Sequence, residues 1–216
     1  MPPSFSQPPD PLVSSVLALL KAAKEQGCDV NRTKLAKLLY FADLKAVEEG
    51  GTAFSGATWR WRNYGPYDNA LMRAESTIVS ADLAERHDDR DETGGSCTLR
   101  LAIDGLADPL PPEHMEIIRT VVREYGRKGA TALKNLSYKT PPMVEAQAAG
   151  DREVILNLSR ARRARQAREL IARHRRQRAS QPQRLRDPAA AADLLKDHEA
   201  LAELRRRANA RALGEE

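Results

Sequence analysis

The sequence predicts a mainly α-helical domain with a small antiparallel β-sheet, an α+β fold, followed by a basic helical C-terminal extension. Three observations support this prediction. Apolar residues recur at helical spacing over most of the first 150 residues. Three short segments between these helices, residues 57–62, 83–87 and 97–103, are typical of strands. Residues 159–186 then contain 11 arginines and one acidic residue, a composition unlike that of the preceding chain.

The first two predicted helices have recognisable starts and ends. Asp10-Pro11 is typical of a helix N-terminus, because a capping aspartate precedes a proline in the first turn, and Gly27 ends the helix. The second helix begins after Asn31 and ends at Gly50-Gly51. It contains the densest apolar run of the chain, most of which we expect to lie in the core. The residues that define this structural motif are Lys37, Leu38, Leu39, Tyr40 and Phe41.

The strand at 57–62 alternates tryptophan with arginine. Because side chains of a strand alternate between its faces, the two tryptophans share one face and the two arginines share the other. We expect the tryptophan face to pack on the second helix and the arginines to point outward beside a turn fixed by Gly65-Pro66. Arginines beside rigid aromatic side chains are typical of interaction hot spots, although the arginines can equally be only solvated. The predicted partner-binding residues here are Arg60, Arg62, Tyr64 and Tyr67, and the structural residues are Trp59, Gly65 and Pro66.

Capping residues, prolines and apolar stripes predict four further helices before residue 151. They begin after Asp68, at Pro111-Pro112, near Ala132 and at Pro141-Pro142. The strands at 83–87 and 97–103 flank a polar loop whose two adjacent glycines favour a hairpin. We expect these two strands and residues 57–62 to form one small antiparallel sheet.

Charge divides the chain into two parts. The formal net charge is +5, but residues 152–216 carry +8 and the other residues carry −3. We therefore predict a domain at 11–152, preceded by a disordered proline-rich leader at 1–10 and followed by an arginine-rich extension at 153–216. The extension is predicted to form two helices with a break near 180–187. These helices have too little apolar bulk to build a core of their own.

Composition argues against several classes of protein. No apolar run is long enough to span a bilayer, and the N-terminal residues lack a signal-peptide pattern, so we expect a cytoplasmic protein with no membrane partner. The four histidines show no metal-ligand spacing, and the glycines form no phosphate-binding loop. The carboxylates of residues 88–92 form either a solvated loop or a divalent-cation site. We predict no catalytic residue, no metal, no cofactor and no enzyme activity.

Three segments, taken in order, resemble a known family. The first is Lys34-Leu-Ala-Lys-Leu-Leu-Tyr-Phe-Ala-Asp43, the second is Tyr64-Gly-Pro-Tyr67, and the third runs from Glu124 to Ala146. Together they resemble the Panacea domain of SocA-like antitoxins over residues 10–158. In the third segment the family usually carries a histidine and then a proline and a tryptophan, whereas this chain has Tyr138 and Met143.

The resemblance implies a helical Panacea-type domain that binds protein. Members of the family, found in bacteria and phages, neutralise a co-produced toxin by direct contact, and SocA-like members can also deliver the toxin to a protease. The implied partners are therefore a cognate toxin and, for an adaptor, a AAA+ protease. Because the domain is shared while the toxins are diverse, the extension is expected to provide toxin specificity. Its predicted partner-binding residues are Arg160, Arg163, Arg165 and Arg168.

Two other functions fit the sequence. An arginine-rich helix can neutralise phosphates without reading the base sequence, which would make the protein a nucleic-acid-binding regulator. The residues predicted to contact nucleic acid are Arg162, Arg173, Arg175, Arg176 and Arg178. The same arginines can instead clamp an acidic protein surface. The remaining possibility is an interaction adaptor with no toxin partner.

Overall fold

In the computed structural model, which describes residues 10–89, 96–150, 152–180 and 188–213, eight helices and five short strands lie within these ranges. The helices are α1 (Pro11–Glu25), α2 (Arg32–Glu48), α3 (Ala70–Ser80), α4 (Pro112–Tyr125), α5 (Ala130–Tyr138), α6 (Pro141–Ala149), α7 (Ser159–Ser180) and α8 (Pro188–Leu213). The strands are β1 (Val30–Asn31), β2 (Arg60–Arg62), β3 (Gly65–Tyr67), β4 (Ala84–Asp89) and β5 (Ser96–Leu101). The predicted fold class is confirmed.

The chain divides into two compact units, Met1–Glu169 and Leu170–Glu216. Helix α7 begins in the first unit and ends in the second. The predicted leader up to residue 9, the tip of the loop at 90–95 and the predicted helix break at 181–187 lie outside the described residues.

Helix α2 is the central element of the first unit. Asn31 caps it, because its side-chain oxygen accepts a hydrogen bond from the N–H of Lys34 at 2.9 Å. The helix packs against α1, α4 and α5. Its predicted core run is confirmed, since Leu38, Leu39 and Tyr40 are fully buried. Each such side chain contributes roughly 2 kcal/mol through burial of apolar surface.

The strands form two separate sheets, so the prediction of one sheet is wrong. Strand β5 pairs antiparallel with both β1 and β4, whereas β2 pairs only with β3 in a hairpin. The Gly65-Pro66 segment was predicted to be a turn, but it is the second strand of this hairpin. The chain reverses earlier, at Asn63 and Tyr64, so that Trp61 lies opposite Pro66. Strand β2 pairs with β3 on one edge and bonds to residues 153–156 on the other, so no edge is left to join β4 and β5.

Residues 153–157 are not helical, although the sequence pattern predicts a helix from Glu153 onward. Glu153 lies in a turn with a φ of +70°, and Ile155 forms an antiparallel bridge with Arg60. The N–H of Trp61 donates to Val154 O at 3.1 Å, and the N–H of Glu153 donates to Trp61 O at 3.0 Å. The N–H of Leu156 donates to Trp59 O at 2.8 Å. These bonds hold the segment against β2 as a third, irregular strand. Helix α7 therefore starts only at Ser159.

Within the described ranges, no helix combines the length and the apolar character that crossing a membrane requires.

Candidate partner-binding surface

A buried carboxylate, Asp43 on α2, organises the chain that leads into the hairpin. Its Oδ1 accepts the backbone N–H groups of Phe54 and Ser55, each at 2.9 Å. Its Oδ2 accepts the indole N–H of Trp59 at 2.8 Å and the hydroxyl of Ser55. Asp43 is fully buried and forms no ion pair with a described residue, so these four donors satisfy its two oxygens. The last residue of the Lys34–Asp43 segment thus fixes the position of β2.

Tyr40 links the same helix to the end of α5. Its ring meets the Trp59 ring edge-on, with 5.5 Å between the ring centroids. The hydroxyl of Thr140 donates to Ser137 O at 2.7 Å, so the Tyr40 hydroxyl must be the donor in its own 2.7 Å bond to Thr140 Oγ1. Burial raises the pKa of Tyr40, which keeps this hydroxyl protonated. Helix α2, the hairpin and the α5–α6 turn are therefore held together by hydrogen bonds as well as by packing.

Lys37 is a lysine inside the core, with 1% of its surface exposed. Its Nζ donates a hydrogen bond to Pro66 O at 2.6 Å, which holds β3 on α2. Within the described ranges it forms no ion pair with a carboxylate. Burial lowers the pKa of Lys37 to about 8. At neutral pH the group therefore still carries a positive charge close to the hairpin.

Gly65 allows the hairpin to approach α5 closely. Its φ of +90° is a conformation that other residues rarely adopt. A Cβ at this position would lie 2.9 Å from Ser137 Oγ and 3.3 Å from the Tyr138 ring. Both the backbone conformation and the available space therefore require glycine between Tyr64 and Pro66.

The predicted binding arginines of β2 contact the segment after α6. Arg62 forms an ion pair with the Glu153 carboxylate at 2.6 Å, and Arg60 donates to Glu153 O at 3.0 Å. The two tryptophans that alternate with these arginines are not equally buried. Trp59 is in the core, whereas Trp61 is only half-buried, with the Arg152 guanidinium 5.9 Å from its ring centroid. Trp61 therefore lies at the edge of the surface.

A pocket of about 300 Å³ opens between α2 and the hairpin, and we call it the hairpin pocket. It is lined by Arg32, Thr33, Ala36, Lys37, Arg62, Asn63, Tyr64, Tyr67 and Glu153. Tyr64 is 68% exposed at the reversal of the hairpin, whereas Tyr67 is half-buried, and desolvation raises the pKa of its hydroxyl. The predicted residues Arg62, Tyr64 and Tyr67 are thus brought together.

A buried carboxylate with two partly exposed arginines supports one wall of the hairpin pocket. The Glu75 carboxylate of α3 is 1% exposed and binds Arg32 through two bonds, at 2.8 and 3.0 Å. It also accepts a 2.6 Å bond from Arg86 of β4. Burial alone would raise the pKa of Glu75, but the hydrogen bonds and charges of both arginines outweigh this effect and lower it. One carboxylate thus serves two guanidinium groups, which leaves positive charge beside the pocket.

Several arginines of α7 are engaged in contacts inside the first unit. Arg162 donates to Val47 O at 3.2 Å and to Gly51 O at 2.6 Å, while Arg165 donates to Glu48 O at 3.0 Å. The carbonyls of Val47 and Glu48 belong to the last turn of α2 and that of Gly51 follows it, so the arginines lie where the helix dipole favours a cation.

The other predicted arginines of α7 differ in their exposure. Arg160 pairs with Glu145 of α6, and Arg168 lies 3.6 Å from the Glu48 carboxylate. Arg163 is exposed. In the second unit the predicted nucleic-acid residues are all exposed: Arg173, Arg175, Arg176 and Arg178.

The described residues contain no group of three or more histidine, cysteine, aspartate or glutamate side chains arranged to hold a metal. Of the acidic residues at 88–92, Asp88 and Asp89 end β4, whereas Asp91 and Glu92 lie outside the described residues. The arrangement at the hairpin pocket combines cations with aromatic rings, and such a combination favours binding of an anionic partner.

Replacing Lys37 with methionine should change how stability depends on pH. The folded chain lowers the pKa of Lys37 from 10.5 to about 8, so the unfolded chain binds more protons between these pH values. The cost of the buried charge is fully present below pH 8 and disappears as pH rises towards 10.5. The unfolding free energy of the variant minus that of the wild type should therefore fall by about 2 kcal/mol between pH 7 and pH 10.

Urea denaturation of both chains across this range measures the difference. Tyrosines that titrate at high pH are present in both chains, so their effect cancels. A difference that stays constant with pH would show that Lys37 keeps its ordinary pKa.

The family model described as "Antitoxin SocA-like, Panacea domain" matches residues 35–142, which is half of the chain. The matched range includes Lys37, Asp43, the hairpin and the α5–α6 turn. We found no match to the chain among curated proteins or among solved structures.

Proposed function

The chain belongs to the SocA-like Panacea antitoxin family, and we propose that it neutralises a cognate toxin by direct protein contact. The match of the family model over residues 35–142 is the observation that carries this proposal. Membership of this antitoxin family supports a regulatory role. A toxin is therefore the expected class of partner, and the co-expression experiment described below identifies which protein it is.

The hairpin surface is the part of the first unit that we propose contacts the toxin. Tyr64 is exposed at the reversal of the hairpin. Hydrogen bonds of Asp43 and Lys37 and the close approach of Gly65 to α5 fix the position of this hairpin. A rigid support lowers the entropy lost on binding, and an exposed tyrosine beside Arg62 has the composition of a hot spot. Arg60 and Arg62 are already held by Glu153, so they need little further ordering.

The extension is proposed to provide a second contact that differs between family members. Arg160, Arg162 and Arg165 are engaged within the first unit, whereas Arg163 and the arginines of the second unit are exposed. The exposed group is therefore the better candidate for toxin specificity. We also propose that the chain acts as an adaptor, which delivers the bound toxin to a AAA+ protease.

Co-expression with the product of the neighbouring gene tests the proposal. If that product is the toxin, its expression alone stops growth, and co-expression of this chain restores growth and yields a co-purified complex. A variant with Tyr64→Ala and Arg62→Ala should rescue growth less well. Absence of both rescue and co-purification would contradict the proposed function for that gene pair. Loss of the toxin from cells only when a AAA+ protease is present would support the adaptor role.

Nucleic-acid binding is a second candidate function, favoured by the four exposed arginines at 173–178. If each arginine contacts one phosphate, affinity for duplex DNA or RNA should fall roughly 100-fold between 50 and 200 mM salt. A gel-shift titration at both salt concentrations measures this change. The chain ending at Glu169, which lacks these arginines, is the matched control. No shift at the lower salt concentration would remove this candidate.

A further inference from the structure

We propose that the hairpin pocket is an anion-recognition site that receives an acidic side chain of the toxin. This inference rests on the proposed function and names the chemistry of one contact within it. The partner group is an aspartate or glutamate carboxylate presented by the toxin surface.

The side chains that line the pocket carry an excess of positive charge. Arg32, Lys37 and Arg62 line it. Glu153 pairs with Arg62, and Glu75 is shared between Arg32 and Arg86. Among the lining residues, three cations therefore face the one carboxylate of Glu153, which leaves an excess of two positive charges. Glu75 and Arg86 do not line the pocket, and their charges cancel each other. Residues 1–151 as a whole carry −3, so this excess stands out locally on a negatively charged part of the chain.

Lys37 is a buried cation with no carboxylate partner among the described residues. An ammonium group has three donors, and the one hydrogen bond of Lys37 Nζ among the described residues goes to Pro66 O. A buried charge without an ionic partner destabilises a fold, and a methionine would fill a similar volume without that cost. Because a lysine is nevertheless present, a role for its charge outside the free protein is the simplest explanation. An anion that enters the pocket would provide the missing counter-charge.

The size of the pocket and the exposed ring at its rim favour a protein as the molecule that carries the anion. A volume of about 300 Å³ is at the lower limit for small-molecule sites and suits a single inserted side chain. Tyr64 stands at the rim with 68% of its surface exposed. A free small anion would leave this ring in water, whereas a protein surface around the inserted carboxylate would cover it. The exposed ring therefore favours a protein as the source of the anion.

The experiment uses the full chain and the purified product of the neighbouring gene, with affinity measured by titration calorimetry. The pocket variants are Lys37→Met, Arg62→Ala and Tyr64→Ala, and the control is Arg127→Ala, which removes an exposed arginine outside the pocket. Each pocket variant should bind at least tenfold more weakly, because truncated hot spots commonly cost this much. The control should bind within twofold of wild type. Urea denaturation establishes whether each variant is folded. If Lys37→Met does not fold, the Arg62→Ala and Tyr64→Ala variants still test the inference.

A charge exchange identifies the partner group. Aspartates and glutamates of the toxin are replaced by lysine one at a time. One such variant should bind the wild-type chain weakly and bind an Arg62→Glu chain more tightly than the unaltered toxin does. This rescue would support a carboxylate contact.

Two results would overturn the inference while leaving the proposed function intact. One is unchanged toxin affinity in all folded pocket variants. The other is a wild-type chain that binds inorganic phosphate with micromolar affinity, together with pocket variants that lose phosphate binding but keep their toxin affinity. The pocket would then be a site for a free anion. If the wild-type chain neither binds nor neutralises the toxin, the proposed function itself fails, and this inference fails with it.

Discussion

Replacing Asp43 with alanine is expected to destabilise the first unit by about 4 kcal/mol or more. The substitution removes the acceptor of the part-buried N–H group of Phe54, of the buried N–H group of Ser55 and of the buried Trp59 indole. Each buried donor left without a partner costs about 1–3 kcal/mol. Because whole domains are stable by only about 5–15 kcal/mol, a loss of this size removes a large part of the stability, and the variant should unfold at a much lower urea concentration than wild type.

Asp43→Asn separates the charge from the geometry. Its amide oxygen can still accept from the N–H groups of Phe54 and Ser55, but its NH₂ group faces the indole donor of Trp59. We therefore expect an intermediate loss of about 1–3 kcal/mol. The control is Asp29→Ala, since Asp29 is exposed and forms one surface ion pair with Arg100 at 3.0 Å; it should change stability by less than about 1 kcal/mol. Urea denaturation followed by tryptophan fluorescence measures all three. An alanine variant within 1 kcal/mol of wild type would refute this role of Asp43.

Ending the chain at Arg152 is expected to unfold or aggregate the domain, whereas ending it at Glu169 should leave the first unit folded. The shorter chain loses the backbone hydrogen bonds from residues 153–156 to Trp59 and Trp61. It also loses the buried side chains of Leu156 and Ala161 and the arginines that bind the carbonyls at the end of α2. Together these interactions contribute about 5 kcal/mol, a large part of the stability of a domain.

Circular dichroism and urea denaturation of the two truncated chains provide the test. The chain ending at Glu169 should show a cooperative transition, with a midpoint close to that of the first unit in the full chain. The same chain should bind the toxin more weakly than the full chain if the extension contributes specificity. Equal stability of the two truncated chains would show that residues 153–169 do not contribute to the fold.

The central part of the fold follows from local patterns in the sequence. The apolar run of α2 and the caps at Asp10 and Asn31 are properties of neighbouring residues, so their structural consequences are predictable. The hairpin was misassigned because proline is unfavourable in most strands. Strand β3 pairs only with β2, and Pro66 is tolerated there while its carbonyl accepts from Lys37.

The less predictable features depend on residues that are distant in the sequence. Glu153 contacts β2 across about 90 residues, and nothing in its own neighbourhood indicates the non-helical segment that delays the start of α7 to Ser159. Glu75, which supports the hairpin pocket, has the sequence context of any surface helix residue. Asp43 belongs to the Lys34–Asp43 segment, which is recognisable in the sequence. The sequence does not show that its carboxylate accepts hydrogen bonds from Phe54 and Ser55, which follow 11 and 12 residues later. Helical periodicity likewise does not reveal which arginines of α7 meet carbonyl groups.

The contact between α7 and α2 has a consequence for the timing of folding. Arg162 and Val47 are separated by 115 residues, and Arg165 and Glu48 by 117. Because the ribosome synthesises a protein from its N-terminus, α2 is made long before the arginines that bind its last carbonyls emerge from the exit tunnel. The first unit therefore reaches its complete hydrogen bonding late in translation, and a prematurely terminated nascent chain lacks it.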